Sequence, residues 1–401
     1  MALAAQAFAC AAAAQQVGPE FAKAPAPALA WQSVVDVPVP AETGAPAGRG
    51  PLDRLAALAA RPEGGAALVV RPGPGAELKL ILVDAGGRPE GASTLPVPAP
   101  ENGATPILRS IAVTAEGGRR IWVFATWLMG GLEDEGPAVS RLSAVDVGRG
   151  VSVERRLPRH IAASRDDIDM RQAAVLRVMR DGSLLAAGTG YFGPPYWWFA
   201  RFSTTGNLLY EAKSRRFPDY VEDAREDDGG GYSLLMVDAE GGTERPTLRR
   251  YGVDGRLATQ RAYPDMTQHV GCTAFAGASG QFRGRAEYER RGSSDELSRT
   301  WLDLFDAAGK RRRSLDLGAH DCAALRREGA TVVVVATGLV ESKPRPAYVA
   351  SIAADGGVRW RLDLPSDIVK AAPAVDGGAV VARIDVVDNR TVVRVVRYRA
   401  P

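Results

Sequence analysis

Asp376-Gly-Gly-Ala-Val-Val-Ala-Arg383 has the same outline as Glu328-Gly-Ala-Thr-Val-Val-Val-Val-Ala336 and Arg180-Asp-Gly-Ser-Leu-Leu-Ala-Ala-Gly188. In each, a charged residue and a Gly open a short apolar run of strand type. The marker Gly recurs at Gly65, Gly118, Gly182, Gly231, Gly280, Gly329 and Gly378, with spacings of 53, 64, 49, 49, 49 and 49. Four equal spacings in succession mark an internal repeat, and a period of this size is that of a propeller blade. Tight turns recur in step at Val83-Asp-Ala-Gly-Gly87, Val145-Asp-Val-Gly148, Ser203-Thr-Thr-Gly206, Gly252-Val-Asp-Gly255, Phe305-Asp-Ala-Ala-Gly309 and Ala354-Asp-Gly-Gly357. Each unit thus reads as strand, variable polar loop, strand, tight turn and a last strand ending near Pro.

The two ends of the repeat are complementary. The seventh unit starts at Asp367, carries strand-like runs at 379–387 and 391–399, and lacks the final strand that other units place at Trp360-Arg-Leu-Asp-Leu-Pro365, Arg313-Ser-Leu-Asp-Leu317 and Thr94-Leu-Pro-Val-Pro98. Trp31-Gln-Ser-Val-Val-Asp-Val-Pro-Val-Pro40 has that shape and stands unpaired before the first unit. Joining the two closes a ring and removes the open sheet edges. The fold class expected is therefore all-β, a seven-bladed β-propeller of four-stranded antiparallel blades. Residues 31–401 form one domain, with the last blade closed by the N-terminal strand. Two β-sandwiches would also supply many short strands, but neither the equal spacing nor the matching ends. Leu52 to Ala60 has helical periodicity, yet it falls where other units put their innermost strand, and the repeat overrides local propensity.

Composition fits this reading. Of 401 residues, 46% are hydrophobic and 24% charged, which is a soluble globular profile, and 44 Gly with 27 Pro supply the turns of an all-β chain. Lys plus Arg is 50 against 47 for Asp plus Glu, a formal charge of +3 that gives no reason to expect nucleic acid. No apolar run is long enough to be a membrane-spanning helix. Residues 1–30 read as an Ala-rich, signal-like or disordered leader and are excluded from the fold. Ala7-Phe8-Ala9 fits a cleavage site, although the positive start of a signal peptide is missing. Ala7-Phe8-Ala9-Cys10 also resembles a bacterial lipobox loosely, which would make Cys10 a lipid anchor. The expected location is periplasmic, outer-membrane-anchored or secreted, and the expected state is monomeric.

Through units such as Ala354-Asp-Gly-Gly-Val-Arg-Trp-Arg-Leu-Asp363, the chain resembles exported bacterial β-propellers of the pyrroloquinoline-quinone-like repeat group. The resemblance spans the ring but is one of architecture, and fold does not license function. Trp-Asp pairs, kelch aromatics and sialidase-type boxes are absent. The vicinal Cys pair and calcium motif common in quinone-dependent dehydrogenases are absent too, so no cofactor is expected.

In such a ring the inter-blade links and the loops between second and third strands share one face, here termed the top, while the tight turns face the bottom. The top loops vary and so are where binding is expected. At the start of the innermost strands stand Asp53, Arg54, Arg109, Asp169, Arg171, Asp219, Glu222, His269, His320, Asp321, Asp367 and Lys370. Mixed charges around a solvated channel can simply neutralise one another; alternatively they line a polar small-molecule or peptide site at a central funnel. Outer top loops add Trp127, Met129, Tyr191, Phe192 and Tyr196 as accessible rings and thioether for a protein, peptide or glycan partner. Of Trp197, Trp198 and Phe199, strand alternation should bury at least one.

Three readings apply to His269-Val-Gly-Cys272 and His320-Asp-Cys322, which hold near-equivalent places in adjacent blades. A Cys272–Cys322 disulfide suits an exported protein. A zinc site has the right ligand types in an unsuitable spacing, so no metal is favoured. Plain buried thiols are the third reading. His160 lies in a connecting loop beside Arg156 and Arg159. No Gly-rich loop opens a helix as a phosphate cradle. The run Lys310-Arg-Arg-Arg313 reads as a solvated sheet edge. Two functions remain: a non-catalytic binding or scaffold propeller of the bacterial cell envelope working through its top face, or a propeller enzyme, a hydrolase, lyase or oxidoreductase, using Asp169, Asp219, Glu222, His269 and His320 at the funnel.

Overall fold

Strand β23 (Thr331–Gly338) reads TVVVVATG and is buried along its whole length, whereas β17 (Leu257–Ala262) reads LATQRA and is exposed along its whole length. That contrast is the radial logic of each blade. Second and third strands carry β-branched and aromatic side chains on both faces and are packed between neighbouring blades. Outermost strands present a polar face to water. The computed structural model describes residues 17–36, 55–71, 77–100, 106–117, 120–129, 138–158, 161, 174–190, 196–214, 219–238, 245–263, 269–277, 280–291, 294–338, 347–364, 369–387 and 390–401. Cys10 and His160 lie outside the described residues.

Seven four-stranded antiparallel sheets account for 28 strands among the described residues. Blade 1 is β2 (Leu55–Ala60), β3 (Ala66–Val70), β4 (Leu78–Val83) and β5 (Pro89–Leu95); blade 2 is β6 (Ile107–Glu116), β7 (Arg120–Leu128), β8 (Ala138–Asp146) and β9 (Gly150–Arg156). Blade 3 is β10 (Ala174–Val178), β11 (Leu184–Gly190), β12 (Tyr196–Phe202) and β13 (Leu208–Lys213). Blade 4 is β14 (Asp219–Glu226), β15 (Tyr232–Asp238), β16 (Arg245–Tyr251) and β17. Blade 5 is β18 (His269–Ala276), β19 (Gly280–Arg291), β20 (Ser294–Phe305) and β21 (Arg311–Gly318); blade 6 is β22 (His320–Glu328), β23, β24 (Ala347–Ala353) and β25 (Val358–Leu364). Blade 7 is β26 (Val369–Pro373), β27 (Ala379–Val387) and β28 (Arg390–Arg399), completed by β1 (Ala28–Asp36) as its outermost strand. Each innermost strand contacts the innermost strands of both neighbours, so the ring is closed.

Closure rests on β1 pairing with β28 from Ala28↔Arg399 to Asp36↔Val392. Trp31 then ties blade 7 to blade 1: its indole nitrogen donates to the Gly64 carbonyl at 3.1 Å, and its ring packs with Leu58, Leu68 and Val393. Trp360 does the same one blade earlier, donating to Gly377 at 3.0 Å. The two tryptophans hold equivalent places, which is why the segments that contain them look alike in sequence. The segment Leu55–Ala60 is the innermost strand of blade 1 despite its helical periodicity.

Outer hairpin turns are held by left-handed glycines. Gly255 has φ of +75°, and a Cβ there would meet the Tyr210 ring at 2.9 Å; Gly309, at φ +76°, would meet Tyr263 at 2.7 Å. A side chain at either place would both strain the turn and push on an aromatic ring of the preceding blade. Arg311, Arg312 and Arg313 are exposed on β21, the outermost strand of blade 5, where charge discourages sheet-to-sheet pairing.

The domain boundary expected at residue 31 is corrected. Residues 17–30 belong to the folded ring: Gly18 precedes a one-turn helix, α1 (Pro19–Ala22), whose Phe21 is completely buried against Tyr348, Leu315 and Leu317. A Cβ on Gly18 would fall 1.9 Å from the Asp316 carbonyl oxygen, so only Gly permits this approach. Arg361 donates its backbone N–H to Pro25 and its guanidinium to Phe21, at 3.0 and 3.2 Å. The chain therefore straps the outer strands of blades 5 and 6 before entering blade 7. Its single Phe and Ala-Pro spacing carry too little hydrophobic pattern to be seen in sequence.

Phe21→Ala is expected to cost about 3 kcal/mol, read as a lowered urea midpoint. Removal of residues 1–36 is expected to leave β28 as an open edge and give an aggregating protein by size-exclusion chromatography; a monomeric, cooperatively melting truncation would refute closure by β1.

Candidate functional site

The central channel is walled by the seven innermost strands, and its two mouths differ. At the top mouth, where these strands begin, sequence placed the candidate polar ring. Arg109, Asp321 and Lys370 are half-buried there and none of them is free of interactions. Asp219 and His269 open β14 and β18, but their side chains lie outside the described residues, as do Asp53, Arg54, Asp169, Arg171 and Asp367. Glu222 faces the completely buried Arg283, whose guanidinium lies 3.5 Å from its carboxylate, donates Nε–H to Gln281 Oε1 at 3.1 Å and stacks over Tyr263 at 5.4 Å. Burial lowers the Arg283 pKa to about 10, and Glu222 and Tyr263 oppose the shift. Glu222 is thus a countercharge between blades 4 and 5.

His320 does not line the funnel. It is 3% exposed, with its ring edge-on to Tyr348 at 5.0 Å, in the packing beneath α1. Burial, and then the nearby Arg361 charge, lower its pKa below 6.5. Beside it, Cys272 of β18 and Cys322 of β22 are disulfide-bonded with Cα atoms 6.0 Å apart, within the ordinary disulfide range, which cross-links the innermost strands of blades 5 and 6. Of the three sequence readings of these cysteines, the structure holds the first.

The aromatic surface is smaller than expected. Trp127 and Met129 are only 3% and 5% exposed, packed between blades 1 and 2 with Leu80, Leu82 and Val139, so the expectation that they are accessible is corrected. The physical reason is that β7 runs on to Leu128, placing Trp127 opposite Leu108 and Val139 in the sheet rather than in a loop. Trp197, Trp198 and Phe199 are all buried, Trp198 against Phe124 of blade 2 and Trp197 against Phe199. Tyr196 is half-buried, while Tyr191 and Phe192 lie outside the described residues.

The bottom mouth holds what sequence reasoning missed. A cavity of about 110 Å3 opens where the innermost strands end, lined by Leu58–Pro62, Val113–Ala115, Ala372–Val375, Arg177, Arg326 and Arg327, with Glu328 at its edge. Asp223 organises one wall: it is 2% exposed, and its carboxylate accepts from the backbone of Ala224 at 2.8 Å and of Phe275 at 2.9 Å and from Arg177 Nη2 at 3.3 Å. It therefore joins blades 3, 4 and 5 through one side chain. A β-bulge between Val221 and Asp223 sets it there. Nearby Arg225 is occupied: it pairs with Asp227 at 3.3 Å, donates to Gly277 at 2.7 Å and stacks on Phe275 at 4.3 Å. Arg61 is likewise occupied, by Glu63 and Glu90. Among the described residues, no three His, Cys, Asp or Glu side chains converge as a metal site.

No family model matches the chain, and no curated protein matches it in sequence. Solved structures share its fold. The β-propeller domain of the trilobed protease from Pyrococcus furiosus is 11% identical, with a TM-score of 0.45 over 82% of this chain and 91% of that one. The polysaccharide lyase Uly1 is 10% identical, with a TM-score of 0.50 over 91% and 92%. A protein of unknown function from Dyadobacter fermentans is 10% identical, with a TM-score of 0.45 over 74% and 95%. At these identities the likeness is one of fold alone, and it joins this seven-bladed ring to the propellers as an architecture without conferring an activity.

Trp127→Ala is expected to cost about 3–5 kcal/mol, measured by chemical denaturation, because it empties a core position. His320 adds a pH dependence. Its pKa is lower folded than unfolded, so as pH falls through about 6.5 the unfolded chain binds a proton that the folded chain resists, and stability drops. Urea midpoints taken from pH 7.5 to 5.5 should fall less steeply in His320→Gln than in the wild type.

Proposed function

We propose that this propeller is a non-catalytic binding or scaffold protein of the bacterial cell envelope, acting as a monomer and holding a protein, peptide or glycan partner against its top face. The observation that carries the reading is the β19–β20 hairpin. Strand β19 stays paired with β18 only as far as Arg285↔His269, and β20 stays paired with β21 only as far as Thr300↔Gly318, yet β19 and β20 continue together to Arg291↔Ser294. Residues 286–291 and 294–299 thus stand beyond the other strands of blade 5 as two paired strands, here termed the arm. Tyr288 on this arm is 50% exposed, with Glu287 and Glu289 exposed beside it. At its base Trp301 lies under both Arg285 and Arg299, each 5.3 Å from the ring, which stiffens the arm. A rigid projection with an exposed ring and mixed charge suits partner contact.

The Cys272–Cys322 disulfide supports export, since such bonds persist in oxidising compartments. An anchored form would be attached through Cys10. Against the enzyme reading stand Glu222, committed to Arg283, and His320, committed to Tyr348.

The test replaces residues 288–298 with Asn-Gly, closing the hairpin at Glu287↔Arg299, and compares it with the wild type on immobilised peptidoglycan fragments, polysaccharides and a peptide library. Retention of one ligand class by the wild type, weakened at least about tenfold in the shortened arm with its melting temperature kept, is expected. Retention of nothing overturns the binding reading, and turnover of a panel glycan would favour the enzyme.

A further inference from the structure

The bottom cavity gathers positive charge that the fold compensates only in part. Arg177 comes from blade 3 and Arg326 and Arg327 from blade 6, three blades apart in a ring of seven, so they meet from opposite walls of the channel. Asp223 is the buried carboxylate among them, and Arg177 and two backbone N–H groups already occupy it. Arg327 donates to Gly329 at 3.1 Å and stands 5.9 Å over Phe275, with Glu328 exposed at the rim. Arg326 makes no hydrogen bond or ion pair among the described residues, although it is half-buried in the cavity wall.

Holding guanidinium groups together in a partly dehydrated channel is unfavourable unless an anion completes the set. The acidities agree: burial, and next the charge of Arg177, lower the Arg326 pKa to about 10, while Arg327 is lowered by burial and raised by Asp223. The chain's overall charge of +3 hides this local excess. A water needs roughly 10–15 Å3 of such space, so a cavity of about 110 Å3 accommodates a small anion with several waters. Guanidinium forks match tetrahedral oxyanions in geometry as well as charge.

We propose that the bottom mouth of the central channel binds a phosphate-sized, multiply charged oxyanion between Arg177, Arg326 and Arg327, either free phosphate or the phosphoryl group of a small ester. This site is on the face opposite the partner-binding arm and stands independently of it. Because Arg326 holds no hydrogen-bond or ion-pair partner among the described residues, Arg326→Gln should fold like the wild type, whereas Arg177→Gln would also strip Asp223 and is not used. The full chain is titrated by calorimetry with inorganic phosphate and separately with glycerol phosphate, in a phosphate-free buffer at fixed chloride, and melted with and without each.

Saturable uptake of one equivalent by the wild type, a raised melting temperature, and at least about tenfold weaker binding by Arg326→Gln are expected. Binding of both probes marks a site for phosphoryl groups, and binding of inorganic phosphate alone marks one for the free ion. The control is Arg256→Gln, since Arg256 is exposed far from the channel on the turn before β17. The proposal is overturned by absence of saturable uptake in the wild type, by unchanged affinity in Arg326→Gln, or by equal weakening in Arg256→Gln.

Discussion

Everything in this molecule depends on the pairing of β1 with β28. A propeller blade is marginal alone, because its apolar faces are covered only by its neighbours, and a ring interrupted at one blade exposes two such faces and a sheet edge together. Backbone pairing along Ala28–Asp36 supplies the missing strand, and Trp31 fastens it to blade 1 through Gly64. The channel between the innermost strands has a fixed width only because the ring is closed, so the placing of Arg177 opposite Arg326 is itself a product of that pairing.

Cross-links reinforce the same geometry at particular points. The disulfide joins the innermost strands of blades 5 and 6, Asp223 joins blades 3, 4 and 5, and the Phe21 strap covers the outside of blades 5 and 6. Glu222 and Arg283 add a buried ionic contact between blades 4 and 5. Blade 5 takes part in all four of these contacts, and it is also the blade that projects the long hairpin. A lever that extends beyond its sheet transmits force to its base, and the base here is covalently tied to its neighbour.

The architecture was legible in the sequence because turn chemistry is local. Gly206, Gly255, Gly309 and Gly356 occupy positive φ for reasons internal to each turn, so their spacing survives any variation of the loops between them. The site was much less legible, because side-chain direction in the innermost strands depends on bulges. Register shifts of one residue occur in β2, β6, β14 and β22, and each reverses which residues face the channel, while β18 carries a shift of two residues. Strict alternation could not tell Asp223 from Glu222. Nor did sequence show that Trp127 belongs to a strand that outruns its neighbours, or that Phe21 finds a socket far away along the chain.

The order of the strands has a kinetic side. Within the ring, β1 is made before every other strand and is paired by β28, made after them, so a growing chain carries β1 without its partner through the synthesis of six complete blades. During that interval the apolar face of Trp31 and Val35 has nothing to cover it, and a contact of such long sequence separation forms slowly. A second copy arriving with an unfilled β28 offers β1 the same hydrogen bonds and the same socket as its own chain does. Two copies that exchange β1 would preserve every blade of both rings while becoming inseparable, and the only thing that favours the monomer is that a chain's own strand is always nearby.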